Sequence, residues 1–346
     1  MTYRAFGDSI TDGTGASGEA SKWRNVLGTA LGVSITSFAH GGDMVGDQTN
    51  EVYSVQPVAG DVSLISLGVN DQRIYGANTV KQAYFRDGLR NHIAWLALGS
   101  KQTARSVGGE AGVWSNTGIL GIGRASTSVG STKTFTLEGT AVYVSLILAD
   151  SAGANGPYEI SIDGGSPQSF NSNAPGVTSY NGYPYNERLH RFAGLSSGTH
   201  TLQVKMTGPS NLYVQWAAGN AQTVKPKVFV GNVIKANGYQ WGGSEANVLA
   251  YNVDIAAVVA ELAADGLDVT LVDLCSVVNP ASDLHPADGL HPADSGHAKI
   301  AEAFRLAITG QQSPPEEPPI TYQTATLLKG SDGVFYVDVG GTISPF

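Results

Sequence analysis

The sequence has little charge and almost no cysteine. Charged residues make up 14% of its 346 residues, against about 25% in a typical soluble domain, and Cys275 is the single cysteine. A lone cysteine excludes an internal disulfide and a zinc site built from several cysteines. The formal net charge of -9 and the lack of a Lys/Arg-rich run disfavour nucleic acid as a partner, because binding to a phosphate backbone needs a basic surface.

Long apolar runs are also missing. Residues 1–7 contain no apolar stretch of the kind that a secretory signal peptide carries. No window approaches the ~18 apolar residues that a membrane-spanning helix requires. We therefore predict a soluble protein that has no signal peptide and does not insert into a membrane.

Glycine, by contrast, is abundant. The chain has 44 glycines, and 42% of its residues are hydrophobic. This composition is typical of a compact, loop-rich and partly β protein, not of a disordered one. The length is long for one domain and comfortable for two.

Strand-like and helix-like patterns alternate in residues 1–101, and the same alternation resumes in residues 222–312. Strands separated by helices predict an α/β fold with a parallel sheet. The predicted strands are Tyr3–Phe6, Val33–Phe38, Asp61–Leu67, Lys227–Gly231 and Leu267–Leu274, and the predicted helices are Trp23–Leu31, Thr79–Leu98, Ser244–Ala264 and Ala298–Thr309.

Residues 102–221 contain no convincing helix. Short β-type runs separated by Gly, Ser, Asn and Pro clusters predict an inserted all-β domain, a β-sandwich or jelly roll. Its rhythm loosely resembles carbohydrate-binding jelly rolls. Tyr180, Tyr183 and Tyr185 lie in this segment. They either stack against sugar rings as substrate-binding residues or pack the edge of the sandwich.

Residues 313–346 form a third kind of segment. A Pro-rich linker at 313–319 is predicted to be extended. Tyr322–Leu328 and Val334–Val339 flank Gly330-Ser331-Asp332-Gly333, which predicts a β-hairpin. A hairpin of this size cannot bury its own core, so we expect it to pack on a neighbour or another subunit.

Four short motifs follow predicted strands or precede the last helix. In open α/β sheets, ligand sites form at the carboxyl edge of the strands. Any one of these motifs is weak evidence, but together they supply the parts that an acyl-transfer site requires. The motifs are Gly7-Asp8-Ser9-Ile10-Thr11, Gly41-Gly42-Asp43, Gly68-Val69-Asn70-Asp71 and Asp288-Gly289-Leu290-His291-Pro292.

Each part of such a site has a candidate residue. Ser9 offers a nucleophilic hydroxyl, His291 a base, and Asp288 an acceptor that fixes the imidazole tautomer. An oxyanion requires hydrogen-bond donors, and the N–H groups of Ser9 and Gly42 and the side-chain amide of Asn70 can supply them. This scheme uses no metal and no cofactor.

Three histidines are candidates for the base: His285 and His291 lie in the internally repetitive segment 283–294, and His297 follows it. His285 has a serine, not an acid, three residues before it. His297 has Asp294 at that spacing, although Asp294 resembles an N-cap of the last helix. We favour His291 and keep His285 and His297 as alternatives. In the glycine motif, Gly41 is the alternative to Gly42.

The four motifs, in this order, resemble the sequence blocks of the SGNH (GDSL-like) hydrolases. The resemblance covers about residues 1–100 and 225–310. It implies a flavodoxin-like three-layer α/β/α fold and metal-free ester hydrolysis. By the match, Ser9 is the nucleophile, Gly42 and Asn70 are oxyanion donors, and Asp288 and His291 complete the triad.

The resulting hypothesis is a serine esterase that hydrolyses O-acyl, above all O-acetyl, esters of a carbohydrate or polysaccharide. A lipid or thioester hydrolase is the alternative in the same class. The alternative from another class is a carbohydrate-binding phage tail protein or adhesin whose hydrolase domain is weak or inactive. For that setting we expect virion localisation, with attachment or homo-oligomer formation through the C-terminal tail.

Overall fold

The computed structural model describes residues 1–117, 120–150, 156–223 and 225–311, and the backbone of three strands near the C-terminus. Two compact units are present, Met1–Thr309 and Gly310–Phe346. The first unit contains the α/β part and the β-rich segment.

A five-stranded parallel sheet forms the centre of the α/β part. Its strand order is β2-β1-β3-β13-β14, and every neighbouring pair is parallel. The predicted parallel α/β sheet is therefore confirmed, and its order is the flavodoxin-like doubly wound one. The strands are β1 (Tyr3–Gly7), β2 (Ile35–Ser37), β3 (Val62–Ser66), β13 (Lys227–Gly231) and β14 (Val269–Val272).

Helices cover this sheet. Every residue of β3 is buried, as expected for a parallel strand that is covered on both faces. Trp23 stacks on Phe304, which pairs α2 with α8, and Phe85 packs against Tyr251, which pairs α5 with α6. The helices are α1 (Ser9–Asp12), α2 (Trp23–Leu31), α3 (Thr49–Ser54), α4 (Val69–Ile74), α5 (Thr79–Ala97), α6 (Glu245–Ala264), α7 (Leu274–Val277) and α8 (Asp294–Thr309).

The segment between α5 and β13 folds into a nine-stranded antiparallel sheet. The long strands β8 and β11 pair along most of their length, with a register shift between Ala193 and Gly198. The strands are β4 (Gln102–Thr103), β5 (Glu110–Ala111), β6 (Ser115–Asn116), β7 (Arg124–Ser126), β8 (Thr132–Ala149), β9 (Pro157–Ile162), β10 (Gln168–Asn171), β11 (Tyr185–Met206) and β12 (Leu212–Gly219).

Some residues of this antiparallel sheet pack in the core of the α/β part, and others form a second apolar cluster of the β-rich segment alone. Both parts lie within the compact unit Met1–Thr309. The first half of β8 alternates buried and exposed residues, whereas its second half is buried throughout. Continuous burial indicates that both faces are covered, and Tyr143 and Trp216 belong to the same apolar cluster as the residues of the parallel sheet. The domain boundaries at 101/102 and 221/222 remain a prediction, as does a separate inserted sandwich or jelly-roll domain.

Helix α6 is long and apolar enough, by length and composition alone, to cross a membrane, so the sequence-based statement that no segment approaches this limit was too strong. In the fold, however, its apolar residues Val248, Tyr251, Ile255 and Val258 are buried in the core shared with α5. Such burial is typical of a core helix of a globular protein.

The C-terminal unit contains β15 (Ala325–Lys329), β16 (Phe335–Val339) and β17 (Thr342–Pro345). β15 pairs antiparallel with β16, and β16 with β17. The third strand was not expected from the sequence. The Pro-rich linker at 313–319 and the predicted turn at 330–333 lie outside the described residues.

A buried polar cluster joins the antiparallel sheet to the helices. The side chains of Glu187 and His92 are fully buried, and Thr49 Oγ1 contacts both, at 2.6 Å from Glu187 Oε2 and 3.2 Å from His92 Nε2. Burial raises the pKa of Glu187 to about 8 and lowers the pKa of His92 to about 3. In the folded protein, both side chains are therefore neutral at pH values between these two pKa values.

We expect Glu187→Gln to reduce the loss of stability between pH 5 and pH 8. Below its ordinary pKa of 4.5, Glu187 is protonated in both the folded and the unfolded chain and costs nothing. As the pH rises toward 8, only the unfolded chain gains by ionising, so the free energy of unfolding falls. The glutamine variant lacks this term, worth roughly 2–5 kcal/mol.

Urea unfolding of both proteins at pH 5 and pH 8 measures this difference. His92 is present in both proteins, so its own titration largely cancels. Equal pH dependence in the two proteins would contradict a raised pKa at Glu187.

Candidate active site

The predicted serine lies at the carboxyl edge of the parallel sheet. β1 ends at Gly7 and α1 begins at Ser9, with Asp8 as the N-cap whose side chain accepts from the Ile10 N–H at 3.0 Å. A Cβ at position 7 would lie 2.5 Å from the Ser66 carbonyl oxygen of β3. Glycine is therefore required for this close approach of β1 to β3. In doubly wound sheets with this strand order, ligands bind in the crevice between these two strands.

Ser9, His291 and Asp288 form a continuous hydrogen-bonded chain. Ser9 Oγ lies 2.8 Å from His291 Nε2, and His291 Nδ1 lies 2.7 Å from Asp288 Oδ2. With a proton on Nδ1, the imidazole donates to the carboxylate and accepts from the serine hydroxyl. This arrangement has the donor and acceptor order that serine activation by a histidine base requires.

Asp288 is held in place by its own loop. Its Oδ1 accepts from the backbone N–H groups of Leu290, at 2.9 Å, and His291, at 3.0 Å. Partial burial raises the pKa of Asp288, but the hydrogen bonds from His291 and from these N–H groups outweigh it, so the pKa lies below its ordinary value. Asp288 thus remains a carboxylate that orients the imidazole and stabilises its charged form.

The two alternative histidines lie elsewhere. His285 Nδ1 accepts from the Ala287 N–H at 3.3 Å. His297 is fully buried, and its Nε2 donates to the Thr14 carbonyl oxygen at 3.3 Å. Asp294 begins α8, and its carboxylate accepts from the N–H and hydroxyl of Ser17. The structure therefore brings His291, and neither alternative, to Ser9.

Asn70 packs against the loop that contains the glycine motif. It is 6% exposed, and its Nδ2 donates to the Asp43 carbonyl oxygen at 2.9 Å. An amide nitrogen carries two protons, so this hydrogen bond uses only one of the two N–H groups of Asn70 Nδ2. The sheet edge thus brings Asn70, which follows β3, to the same side as Ser9, which follows β1.

The two glycines of the motif face different neighbours. A Cβ on Gly41 would lie 3.9 Å from Ser9 Cβ, whereas a Cβ on Gly42 would lie against Tyr180 and Asn181. Gly42 has a φ of +87°, which favours glycine. Gly41 and Gly42 therefore both stay candidates for the backbone N–H that donates to the oxyanion. The sequence had already given Gly41 as the alternative to Gly42.

The aspartates next to the motifs shape the loops. Asp71 accepts from the Val45 N–H with both oxygens at 3.2 Å, and Asp43 accepts from Gln48 Nε2 at 2.6 Å. Burial and, to a lesser extent, the charge of Asp43 raise the pKa of Asp8 to about 7. Its hydrogen bond to the first turn of α1 keeps Ser9 at the start of that helix.

We expect Asn70→Ala to lower kcat for a small acetate ester by ~10²–10³ and to change KM little, because an oxyanion donor acts mainly on the transition state. Steady-state kinetics on 4-nitrophenyl acetate measure this split between the two constants.

Asn181→Ala is the matched control. Asn181 Nδ2 donates to Asp43 Oδ1 at 2.9 Å, so its removal loosens the same loop without deleting the proposed oxyanion donor. An equal loss of kcat in both variants would mean that Asn70 only shapes the loop.

The three candidate tyrosines differ in their surroundings. Tyr180 is 53% exposed and lies beside Gly42. Tyr183 and Tyr185 are half-buried and pack edge to face, with ring centroids 5.6 Å apart. Tyr180 alone among them is placed beside the glycine motif by a described contact.

Two further residues at this site were missed by sequence reasoning. Arg73 Nη1 donates to Asn70 Oδ1 at 3.4 Å, and its guanidinium carbon lies 4.4 Å from the ring centroid of Trp241. Arg73 was detectable, because it follows Asn70 by three positions and so shares a face of α4 with it. Trp241 lies in an irregular segment with no motif to identify it.

A cavity of about 660 Å³ borders the triad on the side of Asp288, and it is lined by Thr14, Gly15, Ala16, Ser17, His285, Ala287, Asp288, Ala293, Asp294 and Ser295. Its volume falls in the range that holds small-molecule ligands. No group of three or more His, Cys, Asp or Glu residues that could hold a metal ion occurs in the part of the chain that the structure describes.

Comparison with known proteins gave no match among protein-family models and none among curated proteins. Among solved structures, the fold is similar to carbohydrate esterases. A carbohydrate acetylesterase from Sinorhizobium meliloti is 11% identical, with a TM-score of 0.44 over 89% of this chain and 98% of that chain.

Two further neighbours have the same character. A family 3 carbohydrate esterase from Clostridium thermocellum is 15% identical, with a TM-score of 0.39 over 88% of this chain and 94% of that chain. A two-domain esterase active on acetylated mannans is 12% identical, with a TM-score of 0.36 over 66% of this chain and 91% of that chain. These three neighbours are esterases active on carbohydrates, but at these identities and TM-scores the likeness by itself assigns no activity to this chain.

Proposed function

We propose that this protein is a serine esterase that hydrolyses O-acyl, above all O-acetyl, esters of a carbohydrate through an acyl-enzyme intermediate. The observation that supports it is the hydrogen-bonded chain from Ser9 Oγ through His291 to Asp288, at 2.8 and 2.7 Å. Side chains that are far apart in sequence meet there in the order that nucleophilic catalysis requires.

In the first half-reaction, Ser9 Oγ attacks the ester carbonyl carbon while His291 Nε2 takes the hydroxyl proton. The tetrahedral intermediate carries its negative charge on the former carbonyl oxygen. Asn70 Nδ2 and the N–H groups of Ser9 and the glycine motif donate to that oxygen. The bond to the sugar oxygen then breaks, and His291 returns the proton to the leaving alcohol.

In the second half-reaction, water attacks the acyl group on Ser9. His291 takes a proton from the water, and the bond between the acyl carbon and Ser9 Oγ breaks. His291 then returns the proton to Ser9, and the carboxylic acid leaves. Asp288 stays ionised throughout and stabilises the imidazolium that forms in each half-reaction.

The carbohydrate part of the proposal has separate support. An exposed aromatic residue, Tyr180, lies beside Gly42, in the segment whose strand rhythm loosely resembles carbohydrate-binding jelly rolls. Tyrosine offers a flat apolar face with a polar tip, which suits a sugar ring. Lipid and thioester substrates, receptor binding on a phage tail, virion attachment and self-association remain predictions of the sequence.

The proposal is tested by hydrolysis of 4-nitrophenyl acetate and by labelling with a fluorophosphonate, which reacts with activated serines. We expect turnover, loss of turnover after labelling, and the added mass on the peptide that contains Ser9. A folded protein that hydrolyses no ester and takes no label at Ser9 would overturn the proposal.

A further inference from the structure

Two large aromatic side chains from distant parts of the chain meet at the surface beside the candidate active site. Trp241 keeps 59% of its surface exposed and Tyr180 keeps 53%. Their rings are stacked, with centroids 5.3 Å apart and an angle of 26° between the planes. Stacked in this way, the two rings cover part of each other, and their remaining faces and edges form one exposed aromatic surface.

Contacts with neighbouring residues hold this aromatic pair in place. The Arg73 guanidinium lies 4.4 Å from the Trp241 ring centroid, a cation–π distance, and Arg73 is only 8% exposed. Trp241 also has a φ of +54°, a left-handed conformation that is rare for a bulky residue and concentrates at functional sites. On the other side, the Tyr180 N–H donates to Met44 Sδ at 3.2 Å.

The position of the pair connects it to the nucleophile. A Cβ on Gly42 would lie 3.7 Å from a ring carbon of Tyr180, and a Cβ on Gly41 would lie 3.9 Å from Ser9 Cβ. One short loop therefore separates the aromatic surface from Ser9. Asp288 is also near enough for its charge to act on Arg73.

Arg73 does not serve the fold as an ion-pair partner. Among the described residues, no carboxylate lies within salt-bridge distance of it, and its buried Nε has no hydrogen-bond partner. Its Nη1 donates a hydrogen bond to Asn70 Oδ1, at 3.4 Å. The guanidinium thus connects the aromatic surface with the amide that we assign to the oxyanion.

We propose that Tyr180 and Trp241 form a stacking platform for the sugar ring that bears the ester, and that Arg73 is a positioning residue which joins this platform to Asn70. The inference rests on the proposed function and names its substrate class, a pyranose ester. Sugar rings present flat C–H faces that pack on aromatic rings, while their hydroxyls remain in water.

The first test compares an ester that has a sugar ring with one that has none. Glucose pentaacetate supplies a pyranose ring and ethyl acetate does not, and acetate release is measured for both. We expect Trp241→Ala to lower kcat/KM for glucose pentaacetate about tenfold, mainly through KM, and to leave ethyl acetate within about twofold. Trp241→Phe keeps a flat ring and should recover part of the loss.

Trp114→Ala is the matched control. Trp114 is a half-buried tryptophan of the β-rich segment, with Nε1 donating to the Ala111 and Thr132 carbonyl oxygens. Its loss should change kcat/KM for glucose pentaacetate and for ethyl acetate by no more than about twofold. Thermal melting checks that the variant is folded. Equal kcat/KM for glucose pentaacetate in the Trp241→Ala and wild-type proteins would overturn the platform.

A second variant tests the positioning role. We expect Arg73→Ala to raise KM for glucose pentaacetate as Trp241→Ala does, and in addition to lower kcat for ethyl acetate several-fold, because Asn70 loses its orienting partner. A purely structural role would move the melting temperature without this division between kcat and KM. Unchanged kcat on ethyl acetate would refute the link to Asn70.

Binding separates this inference from the proposed function. Acetylated xylooligosaccharides are titrated into the Ser9→Ala protein and into Ser9→Ala/Trp241→Ala, so that no turnover is needed. Weaker binding by the double variant supports the platform even if the wild-type protein hydrolyses no ester. Equal binding, together with normal hydrolysis by wild type, overturns the platform and leaves the esterase intact.

Discussion

Replacing Ser9 by alanine is expected to abolish ester hydrolysis, with a loss of about 10⁶ in kcat if the site works as a serine triad. The reason is that Ser9 Oγ is the hydroxyl that His291 Nε2 contacts. Among the described residues, no other hydroxyl lies within hydrogen-bond distance of this nitrogen. No acyl-enzyme can then form, and residual turnover would come from substrate binding and the oxyanion donors alone.

Kinetics on 4-nitrophenyl acetate and fluorophosphonate labelling measure this result. Ser17→Ala is the matched control, because Ser17 is an exposed serine that is hydrogen-bonded to Asp294, an aspartate three residues before a histidine. It should retain both turnover and labelling. If Ser9→Ala hydrolyses the ester as fast as wild type, another residue is the nucleophile.

Replacing Asp288 by asparagine is expected to lower kcat by about 10⁴. The present contact, His291 Nδ1 to Asp288 Oδ2 at 2.7 Å, fixes the tautomer with a lone pair toward Ser9. An asparagine can present its N–H₂ group to Nδ1 instead, which favours the proton on Nε2 and removes the base. The negative charge that stabilises the imidazolium is lost as well.

Asp294→Asn is the control for this prediction. Asp294 and His297 repeat the spacing of Asp288 and His291, but the Asp294 carboxylate bonds Ser17 and His297 donates to the Thr14 carbonyl oxygen. Its activity should stay within about threefold of wild type, as expected for an exposed side chain away from the reacting atoms. A larger loss than in Asp288→Asn would assign the triad acid to Asp294.

The secondary structure of the α/β part was largely predictable. The helix expected at Thr79–Leu98 is found at Thr79–Ala97, whereas the last helix begins at Asp294, four residues before the expected Ala298. Periodic apolar patterns identify long elements well, but the ends depend on local hydrogen bonds. Short helices such as α4 and α7 were not predicted, because four to six residues carry no periodic pattern.

The segment 102–221 shows where pattern alone was insufficient. Short β-type runs between Gly, Ser, Asn and Pro clusters predicted strands here, and the structure has strands in this segment. Whether the strands form a separate domain depends on what covers their second face, and such runs say nothing about that. The second half of β8 is buried throughout because its residues pack in two clusters. Ala141 and Tyr143 lie in the core shared with the helices, whereas Val142 and Val144 lie in a second cluster of the β-rich segment.

The residue pattern alone identified the groups available for catalysis: a serine after one strand, an asparagine after another, and an Asp-x-x-His pair before the last helix. Which histidine meets Ser9 follows from the fold, because Ser9 and His291 are 282 positions apart and three histidines between positions 285 and 297 compete. It also placed Gly41 beside Ser9, and Trp241 on Arg73 and Tyr180. These contacts follow from the order of strands in the sheet, which brings distant loops to one edge and is not encoded in any local pattern.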